Sequence, residues 1–225
     1  MADVAQNLAA VRRRIADACV AAGRPVDAVR LVAVSKTFGP EAIRAAYAAG
    51  QREFGENYLQ EALAKQVALN EPGLVWHYVG PIQSNKTRGI AEHFDWVHGV
   101  DRIKIAQRLS DQRPVHKPPL EVCVQVNISA EASKSGCTPD EAPALCQAVA
   151  ALPRLRLRGL MAIPAPGADA RSAFARLRAL FAAIRAQGLA LDTLSAGMSE
   201  DLEAAIMEGS TLVRIGTAIF GARST

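Results

Sequence analysis

The sequence predicts an α/β protein: a single (β/α)8 barrel of the TIM type, with one additional helix in front. Three observations predict it. Short apolar runs ending in polar residues alternate with segments of helical periodicity, the alternation repeats eight times, and no strand-like run is left over. Repeated strand–helix units imply a parallel sheet, and eight of them favour a closed barrel over an open sheet. No linker, low-complexity stretch or break in composition divides the chain. The expected organisation is therefore one domain over residues 1–225, with residues 1–29 as a leading helix and residues 30–225 as the barrel.

The leading segment, "MADVAQNLAAVRRRIADACVAAG", carries charges within its periodic apolar pattern, so it reads as an amphipathic helix rather than a signal peptide. "RLVAVSK" is the first strand; "PEAIRAAYAAG" follows, with Pro40 at its helix start and Gly50 at its end. "REFGEN" then precedes "YLQEALAKQVAL", "LVWHYVG" precedes "NKTRGIAEHF", and "DWVHGV" precedes "RIKIAQRLSDQ". In the second half "PLEVCVQVNI" precedes "PDEAPALCQAVAAL", and "LRLRGLMAI" precedes "ARSAFARLRALFAAIRAQG". "LDTLSAG" precedes "SEDLEAAIMEG", and "STLVRIG" precedes the short "TAIFGAR". The stretch "PAPGADA" after the sixth strand reads as a strand-to-helix loop.

Composition narrows the function classes. With 50% hydrophobic and 21% charged residues, the chain is ordinary for a soluble globular protein. The net charge of +4 gives a pI near 9.0, but the arginine clusters lack interleaved aromatics and read as solvated helix faces, not a nucleic-acid surface. Cys19, Cys123, Cys137 and Cys146 form no C-x-x-C pair, which suits reduced thiols in the cytoplasm. No apolar run reaches membrane-spanning length, and the four histidines show no metal-ligand spacing.

In such a barrel the chemistry belongs at the C-terminal ends of the strands. Those ends carry Lys36, Glu56 with Asn57, His77, His98, Asn127, Met161, Ser195 and Arg214. A lysine there can simply snorkel to the barrel mouth. Alternatively, desolvation and a cationic neighbour such as Arg214 lower its pKa and make it a Schiff-base nucleophile for a carbonyl compound. Ser199 reads as the N-cap of the seventh barrel helix, with Glu200 and Asp201 in the first turn, and Gly216 and Thr217 open the eighth. Each alone is ordinary capping or turn chemistry. Together they make an anion cradle after strands seven and eight, where such barrels often bind phosphate. A lysine for an aldehyde and a cradle for a phosphate point to pyridoxal 5′-phosphate. Arg214, one strand from Lys36 across the barrel closure, reads either as a rim salt bridge or as a donor to the pyridine nitrogen. As a donor-only group it would hold that nitrogen unprotonated, making the ring a poor electron sink.

These residues resemble a known family. "AVSKT", "FGENYLQE", "WHYVGPIQSNK", "GLMAI", "LSAGMSEDLEAAI" and "VRIGTAIFGAR" are similar to the motifs of the pyridoxal phosphate homeostasis proteins, single-domain relatives of the alanine racemase barrel, over residues 31–223. The resemblance implies cofactor held as an internal aldimine on Lys36, phosphate contacts from Ser199, Gly216 and Thr217, and Arg214 facing the pyridine nitrogen. Asn57 and His77 would line the pocket. One departure is Ala196, where many members have methionine. The resemblance also implies a role in vitamin B6 balance as carrier or buffer, with little catalysis of its own; apo-enzymes are the recipients expected of a carrier. The chain is expected to lack the extra β-domain of alanine racemases, whose tyrosine supplies a second acid/base. A monomer is expected, with a dimer as the alternative.

Two rival readings stand beside this one. A racemase-like enzyme or a Schiff-base aldolase would also use Lys36 and a phosphate cradle. "GPIQSNKT" at residues 80–87 nearly matches a nucleotide phosphate loop, but Asn85 replaces the second glycine and Pro81 removes a backbone donor.

Overall fold

A computed structural model describes residues 3–131, 135–165 and 169–222. Its eight strands close into a parallel barrel in chain order. They are β1 (Arg30–Val34), β2 (Glu53–Glu56), β3 (Val75–Tyr78), β4 (Trp96–Val100), β5 (Leu120–Gln125), β6 (Leu155–Met161), β7 (Thr193–Ser195) and β8 (Leu212–Ile215). Helix α1 (Val4–Ala21) leads; α2 (Pro40–Ala48), α3 (Leu59–Ala68), α4 (Thr87–His93) and α5 (Ile103–Gln112) follow the first four strands. The second half carries α6 (Ala142–Ala150), α7 (Ala170–Ala186), α8 (Leu202–Met207) and the short α9 (Thr217–Phe220). The predicted barrel and leading helix are both present. The loop "PAPGADA" does run from β6 to α7, although its residues 166–168 lie outside the described set, as does Arg223.

Strand parity divides the protein into two cores. Alternate residues of a barrel strand face the lumen or the helix layer. Outward residues such as Ala33, Phe54, Val97 and Ile215 join the helices in one large apolar cluster. The lumen is different: beside Val32 and Leu212 it holds one small apolar cluster of Trp96, Cys123 and Met161. Much of the rest is polar, including fully buried His77, His98 and Ser195, where barrels of this type usually stack branched aliphatics. At the N-terminal end Trp96 is flanked by the guanidinium groups of Arg30 and Arg158, at 4.7 and 5.0 Å from its ring.

Helix α1 does more than precede the barrel. Leu8, Val11 and Ile15 form its buried face, and Asp3 caps it by accepting from Gln6 N–H at 3.0 Å. Asn7 Nδ2 donates to Ile219 O at 2.9 Å, so the helix is tied to α9 at the opposite end of the sequence. Among the described residues no helix is long and apolar enough to cross a membrane.

Candidate functional site at the C-terminal rim

A cavity of about 580 Å3 opens at the C-terminal end of the barrel. Lys36 lines it from the end of β1, Asn57 from the end of β2, and Ser199 from the turn after β7. Arg214 enters from β8, and Gly216 and Thr217 from the start of α9. The cavity straddles the barrel closure, where β1 pairs with β8 and Val32 lies opposite Arg214. Gly216 lets the last turn sit close on the first strand: a Cβ there would stand 3.1 Å from Val34 O.

Ser199 reaches the site by a different route from the expected one. It is not a helix N-cap, because α8 begins only at Leu202 and Asp201 holds the cap position. Asp201 Oδ1 instead accepts from Met198 N–H at 2.6 Å, closing a turn ahead of the helix. Within that turn Ser199 Oγ accepts from Ala218 N–H at 3.3 Å, which joins the two halves of the cradle. Arg14 braces the turn from α1, donating to Ser199 O at 3.0 Å while it pairs with Glu203 at 2.8 Å.

Arg214 is 4% exposed, and among the described residues no carboxylate lies within ion-pair distance. Burial pulls its pKa down to about 10. Its guanidinium is held by two acceptors, Ser195 Oγ at 2.6 Å and Ala162 O at 3.2 Å. Ser195 Oγ lies 2.7 Å from His98 Nδ1, and His98 Nε2 lies 3.0 Å from His77 Nδ1. His77 Nε2 ends the chain 3.3 Å from Glu53 Oε2, a contact too poorly aligned to count as a full hydrogen bond. Burial alone would raise Glu53, but His77 and Arg30 outweigh it and hold the carboxyl below its ordinary range. An ionised Glu53 favours the proton on His77 Nε2. His77 Nδ1 then accepts from His98 Nε2–H, and His98 Nδ1 accepts from the Ser195 hydroxyl. Burial keeps both imidazoles neutral, lowering His77 and placing His98 well below its usual value.

Of the seven expected cofactor residues, the cavity gathers Lys36, Asn57, Ser199, Arg214, Gly216 and Thr217. His77 is the exception. It faces the lumen beneath the cavity, fully buried and stacked on Trp96 at 5.5 Å, and reaches the site only through His98 and Ser195. Five other strand-end residues also miss the cavity: Glu56 faces the helix layer, His98, Met161 and Ser195 face the lumen, and Asn127 donates to Glu131 O at 2.8 Å in its own loop. Asn57 Oδ1 is buried at the cavity wall with no donor. An amine, two hydroxyls, an uncompensated guanidinium and an orphaned acceptor around one cavity fit a phosphorylated aldehyde with a ring nitrogen.

The family model described as alanine racemase, N-terminal domain matches residues 6–224. A pyridoxal phosphate homeostasis protein of Pseudomonas aeruginosa is 63% identical, covering 99% of this chain and 97% of that protein. The chain belongs to the pyridoxal phosphate homeostasis protein family. The Escherichia coli K12 member is 55% identical, covering 99% of this chain and 98% of that protein. Among solved structures, PipY of Synechococcus elongatus with PLP bound is 39% identical, with a TM-score of 0.85 over 97% of this chain and all of that one. Alanine racemase of Corynebacterium glutamicum, 19% identical with a TM-score of 0.71, covers 99% of this chain and 62% of its own and shares the fold.

Nothing in the linear sequence marks a role for Arg14 or for the joined path from Ser195 through His98. The arginine sits in a run, "VRRRI", that reads as a solvated face. The histidines are separated by a whole strand–helix unit, and only barrel parity brings them together.

Proposed function

We propose that this chain binds pyridoxal 5′-phosphate as a Schiff base on Lys36 and serves vitamin B6 homeostasis as a carrier or buffer with little catalysis of its own. One observation carries the reading: the Lys36 amine shares a cavity with the Ser199–Gly216–Thr217 cradle, with Arg214 beside it. The family membership and the PLP-bound PipY structure support it.

Ser199, Thr217 and the backbone around Gly216 would receive the phosphate, and Arg214 would donate to the ring nitrogen. Asn57 would sit against the ring edge. The group, when bound, supplies an aldehyde that condenses reversibly with an amine, releasing water. Lys36 supplies the amine. The chain's own residues then bind and orient without offering proton transfer on both faces: none of Tyr47, Tyr58 and Tyr78 lines the cavity. That supports a holding role over racemization, which needs two positioned acid/base groups. Met198, 38% exposed, stands at the cavity edge, open to a protein recipient. The four buried, unpaired cysteines agree with a cytoplasmic setting.

The test is the visible absorption of protein reconstituted with pyridoxal phosphate, followed by borohydride reduction and peptide mass analysis. The expected result is a band that Lys36→Ala abolishes and an adduct on Lys36. The same band in Lys36→Ala, or an adduct on another lysine, overturns the assignment. Transfer to an apo-enzyme, rather than turnover of free amino acids, distinguishes the carrier from the racemase and the aldolase.

A further inference from the structure

One buried ionic cluster outside the barrel grips both peptide groups that flank Lys36. Lys65 on α3 is 4% exposed, and its ammonium donates to Ser35 O at 2.8 Å and to Glu56 Oε1 at 2.7 Å. It also pairs with Glu61, one turn earlier on the same helix. The same Glu61 oxygen accepts the N–H of Thr37. Ser35 Oγ closes the cluster, donating to Glu56 Oε1 at 2.6 Å. The Ser35 carbonyl belongs to the peptide entering Lys36, and the Thr37 N–H to the peptide leaving it.

Thr37 makes this grip informative. Its φ is +69°, and Ala130 is the one other non-glycine residue with positive φ among the described residues. A β-branched residue in the left-handed region is strained by roughly 1–3 kcal/mol and persists only where its surroundings over-determine it. Nor does the cluster recommend itself as a stabiliser. Buried ion pairs seldom outperform apolar packing. Here Glu56 Oε2 is left without a partner, and burial pushes the Glu56 carboxyl up despite Lys65.

We propose that Glu61 and Lys65 are positioning residues for Lys36: they hold the Thr37 turn left-handed and so present the Lys36 amine to the cavity from a fixed backbone. The proposal rests on Lys36 as the amine that captures the cofactor. It assigns a function to "ENYLQEALAK" beyond helix formation, because the two residues stand one turn apart on the face of α3 that meets the end of β1.

Glu61→Ala is the decisive variant, since Glu61 is 29% exposed and its loss leaves the buried Lys65–Glu56 pair in place. Two quantities are measured: the rate of pyridoxal phosphate capture, and hydrogen exchange of the Thr37 amide in cofactor-free protein. Expected are capture slowed about tenfold, exchange accelerated about tenfold, and an unchanged urea midpoint. Thr37→Asn, which tolerates the left-handed conformation, should restore capture in the Glu61→Ala background to within about threefold of wild type. Unchanged capture in Glu61→Ala overturns the proposal, as does an equal loss with Thr37→Asn. If Glu61→Ala does not fold, Glu61→Gln takes its place. Its amide oxygen still accepts the Thr37 N–H, so capture should stay near wild type, and slow capture with a protected Thr37 amide overturns the proposal. If wild-type protein forms no adduct on Lys36, the cofactor assignment fails, while amide exchange still tests the cluster.

Discussion

Acidification should destabilise the protein through its lumen before its surface carboxylates titrate. His77 and His98 are both fully buried, and their ring nitrogens lie 3.0 Å apart. A proton on His98 would meet the fields of Arg214 and Arg30 as well as the desolvation of the lumen. Each folded-state pKa is therefore below that of the unfolded chain. Below pH ~6.5 the unfolded chain takes up protons that the folded chain refuses, so stability is complete above that pH and falls as pH drops. One such histidine contributes about 1.4 kcal/mol per pH unit, and a partial second brings the slope to about 2 kcal/mol. For a chain of this size, that is a fall in Tm of about 4–8 °C per unit. The assay is urea unfolding of cofactor-free protein from pH 7.5 to 5.5. Glu53, held below its ordinary range, titrates beneath this window; Glu56, pushed up by burial, acts in the opposite sense. His98→Asn leaves Glu56 in place, so the comparison isolates the imidazole, and the slope should shrink by about half or more. A wild-type midpoint that does not move between pH 7 and 5.5, or an identical slope in His98→Asn, refutes the buried neutral pair.

Other expectations follow from single contacts. Ser195→Ala leaves Arg214 with Ala162 O as its one acceptor, and should weaken cofactor retention about tenfold in fluorescence titration, with a shift of the bound chromophore's absorption. Arg14→Ala frees the Ser199 turn and should lower phosphate-dependent affinity about threefold, measured as pyridoxal phosphate against pyridoxal, at a stability cost under about 1 kcal/mol. Gly159→Ala places a Cβ 1.7 Å from Thr193 O and should cost more than about 3 kcal/mol in denaturant unfolding by prising β6 from β7. Lys86→Ala should leave cofactor binding unchanged in the same titration, because Lys86 stands at the start of α4 and does not line the cavity.

The eight units were legible because each strand is a short apolar run and each helix carries a separate period; nothing long-range is needed to see them. Lys36 and Arg214 were legible because a charge at the end of such a run must either reach the rim or find a partner. What the sequence concealed is which way a strand-end residue faces and how deep it lies. Glu56 and Asn57 are neighbours, yet the first faces α3 and the second the cavity. His77 has the inward parity of a site residue but sits one layer too low, a consequence of strand stagger that linear spacing does not encode. Ser199 looked like a cap because a serine before acidic residues usually is one. Here Asp201 takes that position and frees the hydroxyl for α9.

The pairing of β1 with β8 also has a temporal meaning. Lys36 is synthesised with the first strand, whereas Arg214 and the Gly216–Thr217 turn come only with the eighth. A nascent chain therefore displays the Lys36 amine long before it owns the cavity that Lys36 lines. The cavity exists only once β8 has closed on β1, so under the proposed function cofactor loading would report completion of the barrel, and a chain stalled before β8 would carry the lysine without its cradle.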